Sequence, residues 1–360
     1  MKKLFIIFIA FFALALSACS PAAPETFEIA LITDIGDIDD KSFNQGAWEG
    51  VVKYATEKNV SHKYYKPTGK STAEYIAAIE LAVDNGAKIV VTPGFLFEPA
   101  IFEAQDLFPE VKFVLLDGFP QDGTYTDFRI EDNVHSIFYA EEQVGFLAGY
   151  AAVKEGFTKL GFMGGMAVPA VVRFGYGFVQ GAEYAAAELD VTVEILYNYL
   201  GGFGPDPAYQ SKAGAWFNAG TEVIFAAAGG AGNSVMAAAE ANNGKVIGVD
   251  INQKDESETV ITSAMKELGT SVYMSLDSFY KGSFKGGVSE VLDVTVGGVN
   301  LPDDFARFTT FTKAQYDEIY AELVANTNNI RTNIIKDKTG DVAVLVTDIP
   351  LTKVTLTVVE

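Results

Sequence analysis

Short, continuous apolar segments recur through this chain, each ending in a Gly- or Asp-rich loop that hands over to an amphipathic stretch. Strands buried on both faces read as unbroken apolar runs, because crossover helices cover a parallel sheet on both sides. In the first half the pattern predicts strands at 27–32, 62–66, 89–92 and 112–116, separated by helices at 42–58, 71–85 and 98–108. A helix over 140–154 then opens a second series, with strands at 160–162, 192–197, 223–226 and 245–249 and helices at 171–188, 209–219 and 234–241. The order repeats without detectable sequence repetition. At 360 residues the chain exceeds what one core usually serves. The economical architecture is α/β, two doubly wound parallel-sheet lobes facing each other across a cleft. A strand at 259–263 and a helix at 271–281 read as the chain crossing back, so the N-terminal lobe is expected to hold 27–135 plus 259–300 and the C-terminal lobe 136–258 plus 301–332. The stretch 333–360 alternates Val, Leu and Thr like a strand; its place is open between an edge hairpin and a partner-facing segment.

Lys2 and Lys3 precede the apolar run Leu4–Leu16, which ends in Leu16-Ser17-Ala18-Cys19. This has the form of a secretory leader and is too short for a permanent transmembrane helix. Cys19 is the only cysteine, so no intrachain disulfide can form. Its position resembles a bacterial lipobox, in which the cysteine is acylated and becomes the first mature residue; the alternative is a chance cysteine in an ordinary leader. On the lipobox reading 1–19 is removed up to the lipidated Cys19, 20–26 is a tether, and the remainder is exported and held at the outer face of the cell membrane. The net charge of −21 weighs against nucleic acid and against a basic face laid on anionic lipid. It does not identify a ligand.

In open α/β sheets small ligands bind outside the carboxyl ends of the strands. The loop Thr33–Gln45 follows the first strand. Asp40 or Ser42 can cap the next helix there, with Gln45 at capping-box spacing from Ser42. Phe43 either packs in the core or, beside Asn44 and Asp40, suits a flat ligand carrying hydrogen-bond donors. Asp117 and Asp250 each end an apolar strand, placed to cap a turn or to accept from ligand N–H and hydroxyl groups. Phe203 lies between Gly202 and Gly204, where a stacking platform is worth about 1–3 kcal/mol per base. The loop at Gly230 lacks the Lys-Ser/Thr of a phosphate-binding loop, so close backbone approach to a ligand is the expectation. Lys266, just past a strand, can reach the same cleft, although alone it reads as an ordinary surface lysine. His62 and His135, the only histidines, have no candidate metal ligand near them in sequence, and no Gly-x-Ser-x-Gly elbow is present. No cofactor, metal or catalytic residue is therefore expected.

Taken together, Asp39–Gln45 with Trp48-Glu49-Gly50, Gly145-Phe146-Leu147-Ala148-Gly149, Phe162-Met163-Gly164-Gly165, Phe174–Phe178 and Gly248-Val249-Asp250 resemble the basic membrane lipoproteins, the purine-nucleoside-binding components of ABC importers. The resemblance runs from the lipobox to about Ala325 and leaves the tail after Asn333 uncovered. It implies a type I periplasmic-binding fold, with lobes joined by three crossovers, that closes on one adenosine-, guanosine- or inosine-type nucleoside and delivers it to a membrane permease as a monomer. Carried over, the stacking aromatics fall on Phe43 and Phe203, the base-binding carboxylate on Asp117, and the ribose pair on Asp250 and Lys266. Asn44 and Asp40 fall near the base or lobe edge, and Gly230 offers backbone contact. Asn252 stands where the family usually has an acidic residue, and Gly202 where a Ser or Thr is expected before Phe203. Two alternatives remain at this level. One keeps the fold and binds a sugar or signalling molecule. The other is a calcium-dependent nucleoside hydrolase, suggested by the Asp-rich run Thr33–Asp40, but Ile32 stands where the leading Asp of such a loop belongs.

Overall fold

Ile29, Ala30, Leu31 and Ile32 (β1, Ile29–Ile32) are all fully buried, as a strand covered on both faces requires. The computed structural model describes residues 26–339 and 342–360; the predicted leader, Cys19 and the tether up to residue 25 lie outside the described residues. After β1 come α1 (Phe43–Lys58), β2 (His62–Tyr65), α2 (Thr72–Asp84), β3 (Ile89–Pro93), α3 (Glu98–Leu107), β4 (Lys112–Leu116) and β5 (Val134–Tyr139). The second series is α4 (Glu141–Glu155), β6 (Lys159–Gly164), α5 (Pro169–Leu189), β7 (Val193–Tyr199), α6 (Pro207–Asn218), β8 (Val223–Ala227), α7 (Gly232–Asn242), β9 (Lys245–Asp250) and β10 (Val260–Lys266). The chain ends with α8 (Leu268–Tyr280), β11 (Val288–Leu292), β12 (Val299–Asn300), α9 (Lys313–Ala325), β13 (Lys338–Thr339), β14 (Val342–Ala343) and β15 (Val354–Val358).

The first sheet has six strands in the order β11-β5-β4-β3-β1-β2, all parallel. The second has seven, β12-β10-β9-β8-β6-β7-β15, parallel except where β12 runs against β10. Inside both, the first five strands of a series take the same spatial order, so β1 corresponds to β6, β3 to β8, β4 to β9 and β5 to β10. This is the expected pair of doubly wound lobes. The chain passes between them after β5, after β10 and after β11.

The crossing points differ from the expected ones. Ser136–Tyr139, assigned above to the C-terminal lobe, lies in β5 of the first sheet. Val260–Lys266, assigned to the N-terminal lobe, pairs with β9 and lies inside the second sheet; only from α8 onward does the chain rejoin the first lobe, where β11 pairs with β5. An apolar run specifies burial but not which neighbour it pairs with, so its pattern was silent on this point. The tail finds a place at the second sheet: β15 pairs in parallel with β7, and Glu183 of α5 accepts the backbone N–H groups of Thr352, Lys353 and Val354. The short β13–β14 pair is the antiparallel hairpin of that segment.

Two glycine pairs set how α4 and α5 meet. A Cβ on Gly145 or Gly149 would collide with the carbonyl oxygens of Phe174 and Phe178, and one on Gly177 or Gly181 with those of Glu142 and Phe146. The backbones therefore touch, which places the first turn of α5 beside the first crossover.

Candidate functional site

The carboxyl ends of both sheets face one cavity of about 360 Å³. Asp40, Phe43, Asn44 and Asp117 reach it from the first lobe, and Phe203, Gly230, Asp250 and Lys266 from the second. Asp117 and Asp250 stand at the carboxyl ends of the corresponding strands, Asp117 just after β4 and Asp250 as the last residue of β9. Both adopt left-handed backbone, with φ of 55° and 66°, a conformation Asp tolerates better than most residues. That turn aims each carboxylate inward instead of along its sheet.

Asp40, not Ser42, caps α1. Its Oδ1 accepts from the N–H groups of Ser42 and Gln45, and its Oδ2 from the N–H and side-chain amide of Asn44. The Ser42 hydroxyl makes no capping bond and donates to Asp250 Oδ2 across the cleft at 2.5 Å. Gln253 likewise donates from Nε2 to the Lys41 carbonyl at 2.6 Å, and Lys41 and Glu256 form an ion pair at 3.7 Å. These links join the start of α1 to the loop after β9. Asp37 of the acidic run is paired with Lys66, and Asp34 accepts from Gly36 N and Asn44 Nδ2. Among the described residues no group of three or more His, Cys, Asp or Glu is arranged to hold a metal ion.

Phe203 is half-buried, and its ring rests on Gly165, the residue after β6; an added Cβ there would strike the ring. Gly229 also lies against it. The glycines that seat this aromatic thus belong to other loops than the flanking Gly202 and Gly204. Phe203 O accepts from Ala231 N at 2.7 Å, tying its loop to the one that carries Gly230.

Lys266 is the charged centre. Only 2% of its side chain is exposed, yet its Nζ lies 2.5 Å from Asp117 Oδ2, 3.1 Å from Glu141 Oε1 and 3.9 Å from Asp250 Oδ1. The same ammonium sits 4.9 Å from the ring centre of Phe43, 5.4 Å from that of Tyr139 and 5.3 Å from that of Phe174. Behind it, Arg173 Nε donates to Glu141 Oε2 at 2.6 Å. Burial lowers the affinity of Lys266 for its proton, but the three carboxylates outweigh this and hold it above the usual lysine range. Burial pushes Asp117 and Asp250 upward, with Lys266 opposing in both cases. Burial also opposes ionisation of Glu141, but Arg173 and Lys266 prevail and hold it below its ordinary value. Asp34 is pushed up to about 6, chiefly by burial and against its hydrogen bonds from Gly36 and Asn44.

Several residues here were not singled out from the sequence. Val168–Val171 and Phe174 line the cavity from the start of α5, as do Asp34 and Gly94 from the first lobe. The β1–β6 correspondence predicts the α5 group, since the loop after the first strand of each lobe faces the cleft. Glu141 carried no signal, because one acidic residue at a helix start reads as a favourable dipole interaction. His135, expected to be isolated, bridges Ser275 Oγ at 3.0 Å and Glu290 Oε1 at 2.9 Å. Ser275 is 3% exposed, so this trio ties α8 and β11 to the first sheet and faces no substrate.

The arrangement can hold a flat, hydroxyl-bearing molecule with aromatic rings on two sides and carboxylates and an ammonium at its polar end. Residues 27–339 match the Bmp family, described as ABC transporter substrate-binding protein PnrA-like. The ABC transporter nucleoside-binding protein BmpA of Lactococcus lactis subsp. cremoris is 32% identical over 300 residues, covering 77% of this chain and 82% of that one. Basic membrane protein D of Borreliella burgdorferi is 29% identical over 313 residues, 86% of each chain. Among solved structures, an ABC transporter system solute-binding protein from Aeropyrum pernix aligns with a TM-score of 0.66 at 25% identity, over 84% of this chain and 88% of that one. A match over this span of the sequence, on the same two-lobed fold, means that the chain belongs to the Bmp family of ABC transporter substrate-binding proteins.

Proposed function

We propose that this substrate-binding protein captures a purine nucleoside between its lobes and passes it unchanged to the permease of an ABC importer, while acyl chains on Cys19 hold it at the outer face of the cell membrane. The observation that carries this reading is the convergence on one cavity of Phe43 and Phe203 with Asp117, Asp250 and Lys266. Aromatic faces bind any base by stacking, and carboxylates beside an ammonium suit ribose hydroxyls, which both donate and accept. Phe43 and Phe203 would flank the base and Asp117 would accept from it. Asp250 and Lys266 would hold the sugar, Gly230 would give backbone contact, and Asp40 and Asn44 would shape the wall at the base. The cavity volume is in the range usual for small-molecule sites. The relative named as nucleoside-binding supports the same class of ligand.

The test is calorimetric titration of the protein from Ser20 onward, unfolded and refolded to strip carried-over ligand, with adenosine, guanosine, inosine, cytidine, uridine and ribose. The expected result is saturable binding of purine nucleosides without turnover, weakened at least about 10-fold in Phe203→Ala and Asp250→Ala. Free ribose that outcompetes every nucleoside, or release of ribose from a bound nucleoside, would overturn it.

A further inference from the structure

Fully buried Glu141 and half-buried Arg173 form a pair that does not line the cavity, yet Glu141 lies against the one ammonium among the described residues that does. Glu141 is fully buried, and among the described residues its Oε1 has no hydrogen-bond partner; Lys266 Nζ stands 3.1 Å from it as an ion-pair partner. Its Oε2 takes the Arg173 Nε at 2.6 Å, and Arg173 reaches outward to Asp337 Oδ1 at 3.6 Å. Such a pair needs a reason, because burying a carboxylate and a guanidinium is costly and an apolar pair of similar volume often serves stability as well. Placement supplies one. Glu141 opens α4, directly after the first crossover, and Lys266 closes β10 in the second sheet, directly before the second crossover, so their contact lies beside two of the connections between the lobes. Asp117 and Asp250, by contrast, belong to opposite lobes.

An ammonium has three N–H donors and no acceptor. One goes to Asp117 at 2.5 Å, and Glu141 attracts a second side of the ammonium as an ion-pair partner at 3.1 Å, without a hydrogen bond of good direction. The third side of the ammonium faces Asp250 Oδ1 at 3.9 Å, beyond direct hydrogen-bond reach. A hydroxyl in that gap can accept from Lys266 and donate to Asp250 at once. We infer that Glu141, braced by Arg173, is a positioning residue that holds the Lys266 ammonium with one N–H toward the cavity for a sugar hydroxyl. This rests on the nucleoside reading above and extends it to residues that never touch the ligand. With Gln at position 141 the ammonium would meet a weaker, neutral acceptor and swing toward Asp117 or Asp250, closing the gap.

The experiment is calorimetric titration of wild type, Glu141→Gln, Arg173→Gln and Arg173→Lys with adenosine, guanosine and inosine and with their 2′,3′-dideoxy counterparts. Wild type should prefer the ribonucleosides. Glu141→Gln and Arg173→Gln should lose about 10- to 100-fold for ribonucleosides and little for the dideoxy compounds, so the preference collapses. Arg173→Lys, which keeps the positive charge beside Glu141, should retain most of it. Equal losses for both ligand series would show a merely structural role and overturn the inference, as would unchanged affinities. Should Glu141→Gln fail to fold, the Arg173→Gln and Arg173→Lys pair decides. Wild type that binds nucleosides without regard to their sugar hydroxyls overturns the positioning role alone; wild type that binds no nucleoside removes both readings.

Discussion

Asn44 donates its two amide hydrogens to Asp34 Oδ1 at 2.9 Å and Asp40 Oδ2 at 3.0 Å, and its own Oδ1 accepts from Asp34 N at 3.3 Å. No N–H of that amide is left for a ligand, so what Asn44 contributes to the cavity is the shape of the loop and the orientation of two carboxylates. Asp34, half-buried in this network, is partly desolvated. With its pKa raised to about 6, the folded protein binds more protons than the unfolded chain between the ordinary carboxylate range and that value, so this group's contribution to stability is full below about pH 4 and is lost as pH rises through 6. Asp34→Asn keeps the acceptor for Gly36 and Asn44 but removes the charge. Denaturant unfolding of the ligand-free proteins should therefore show the variant gaining on wild type between pH 4 and 7, by on the order of 1–3 kcal/mol. A constant difference across that range would refute the assignment. The carboxylates at strand ends were legible from the sequence because their position follows from the alternation of elements. Their partners were not, because Ser42 and Asp250 are 208 residues apart and meet only across the cleft.

The helix crossing of α4 and α5 depends on bare backbone. Gly145-x-x-x-Gly149 and Gly177-x-x-x-Gly181 face each other's carbonyls, and no rotamer change can relieve a Cβ that meets main chain. Gly181→Ala, aimed at the Phe146 carbonyl, should cost about 1–3 kcal/mol or more in urea unfolding, with the m-value unchanged. An Ala at Gly156, which has nothing within 4 Å of an added Cβ but a φ of 111°, would be penalised by backbone strain instead. Gly145, Gly149 and Gly177 were visible in the sequence as part of a family resemblance, whereas Gly181 was not. Their physical job, close approach of two helices that carry Glu141 and Arg173 near their N-termini, needed both helices in place.

Across the whole molecule, the lobes are tied on one side of the cavity by Ser42–Asp250 and Lys41–Gln253 and elsewhere by Lys266 of the second lobe bound to Asp117 of the first. Ligand binding would act on the same equilibrium between separated and approached lobes, since a ligand shifts only those states it binds differently. Ser42→Ala removes one tie without touching the hinge. Solution scattering of the ligand-free variant should give a larger radius of gyration than wild type, and saturating ligand should bring the two together. Identical ligand-free radii would show that this hydrogen bond does not bias closure.

What the sequence by itself determined was everything that depends on local period and composition. Continuous apolar runs between amphipathic stretches specify parallel sheets, their repetition specifies two lobes, and the strand-end loops supply the eight candidate residues, all of which line one cavity. What only the tertiary structure decided was which distant groups share a neighbourhood. Val260–Lys266 joined the second sheet because pairing with β9 completes that sheet's order, a choice its own apolar pattern does not encode. Lys266, an ordinary lysine by its own sequence context and a ribose contact only by resemblance, is the charged centre of the cavity because Asp117, Glu141 and Asp250 converge on it from both lobes and the first crossover. Electrostatic roles of this kind arise from burial and proximity, which exist only once the chain has folded.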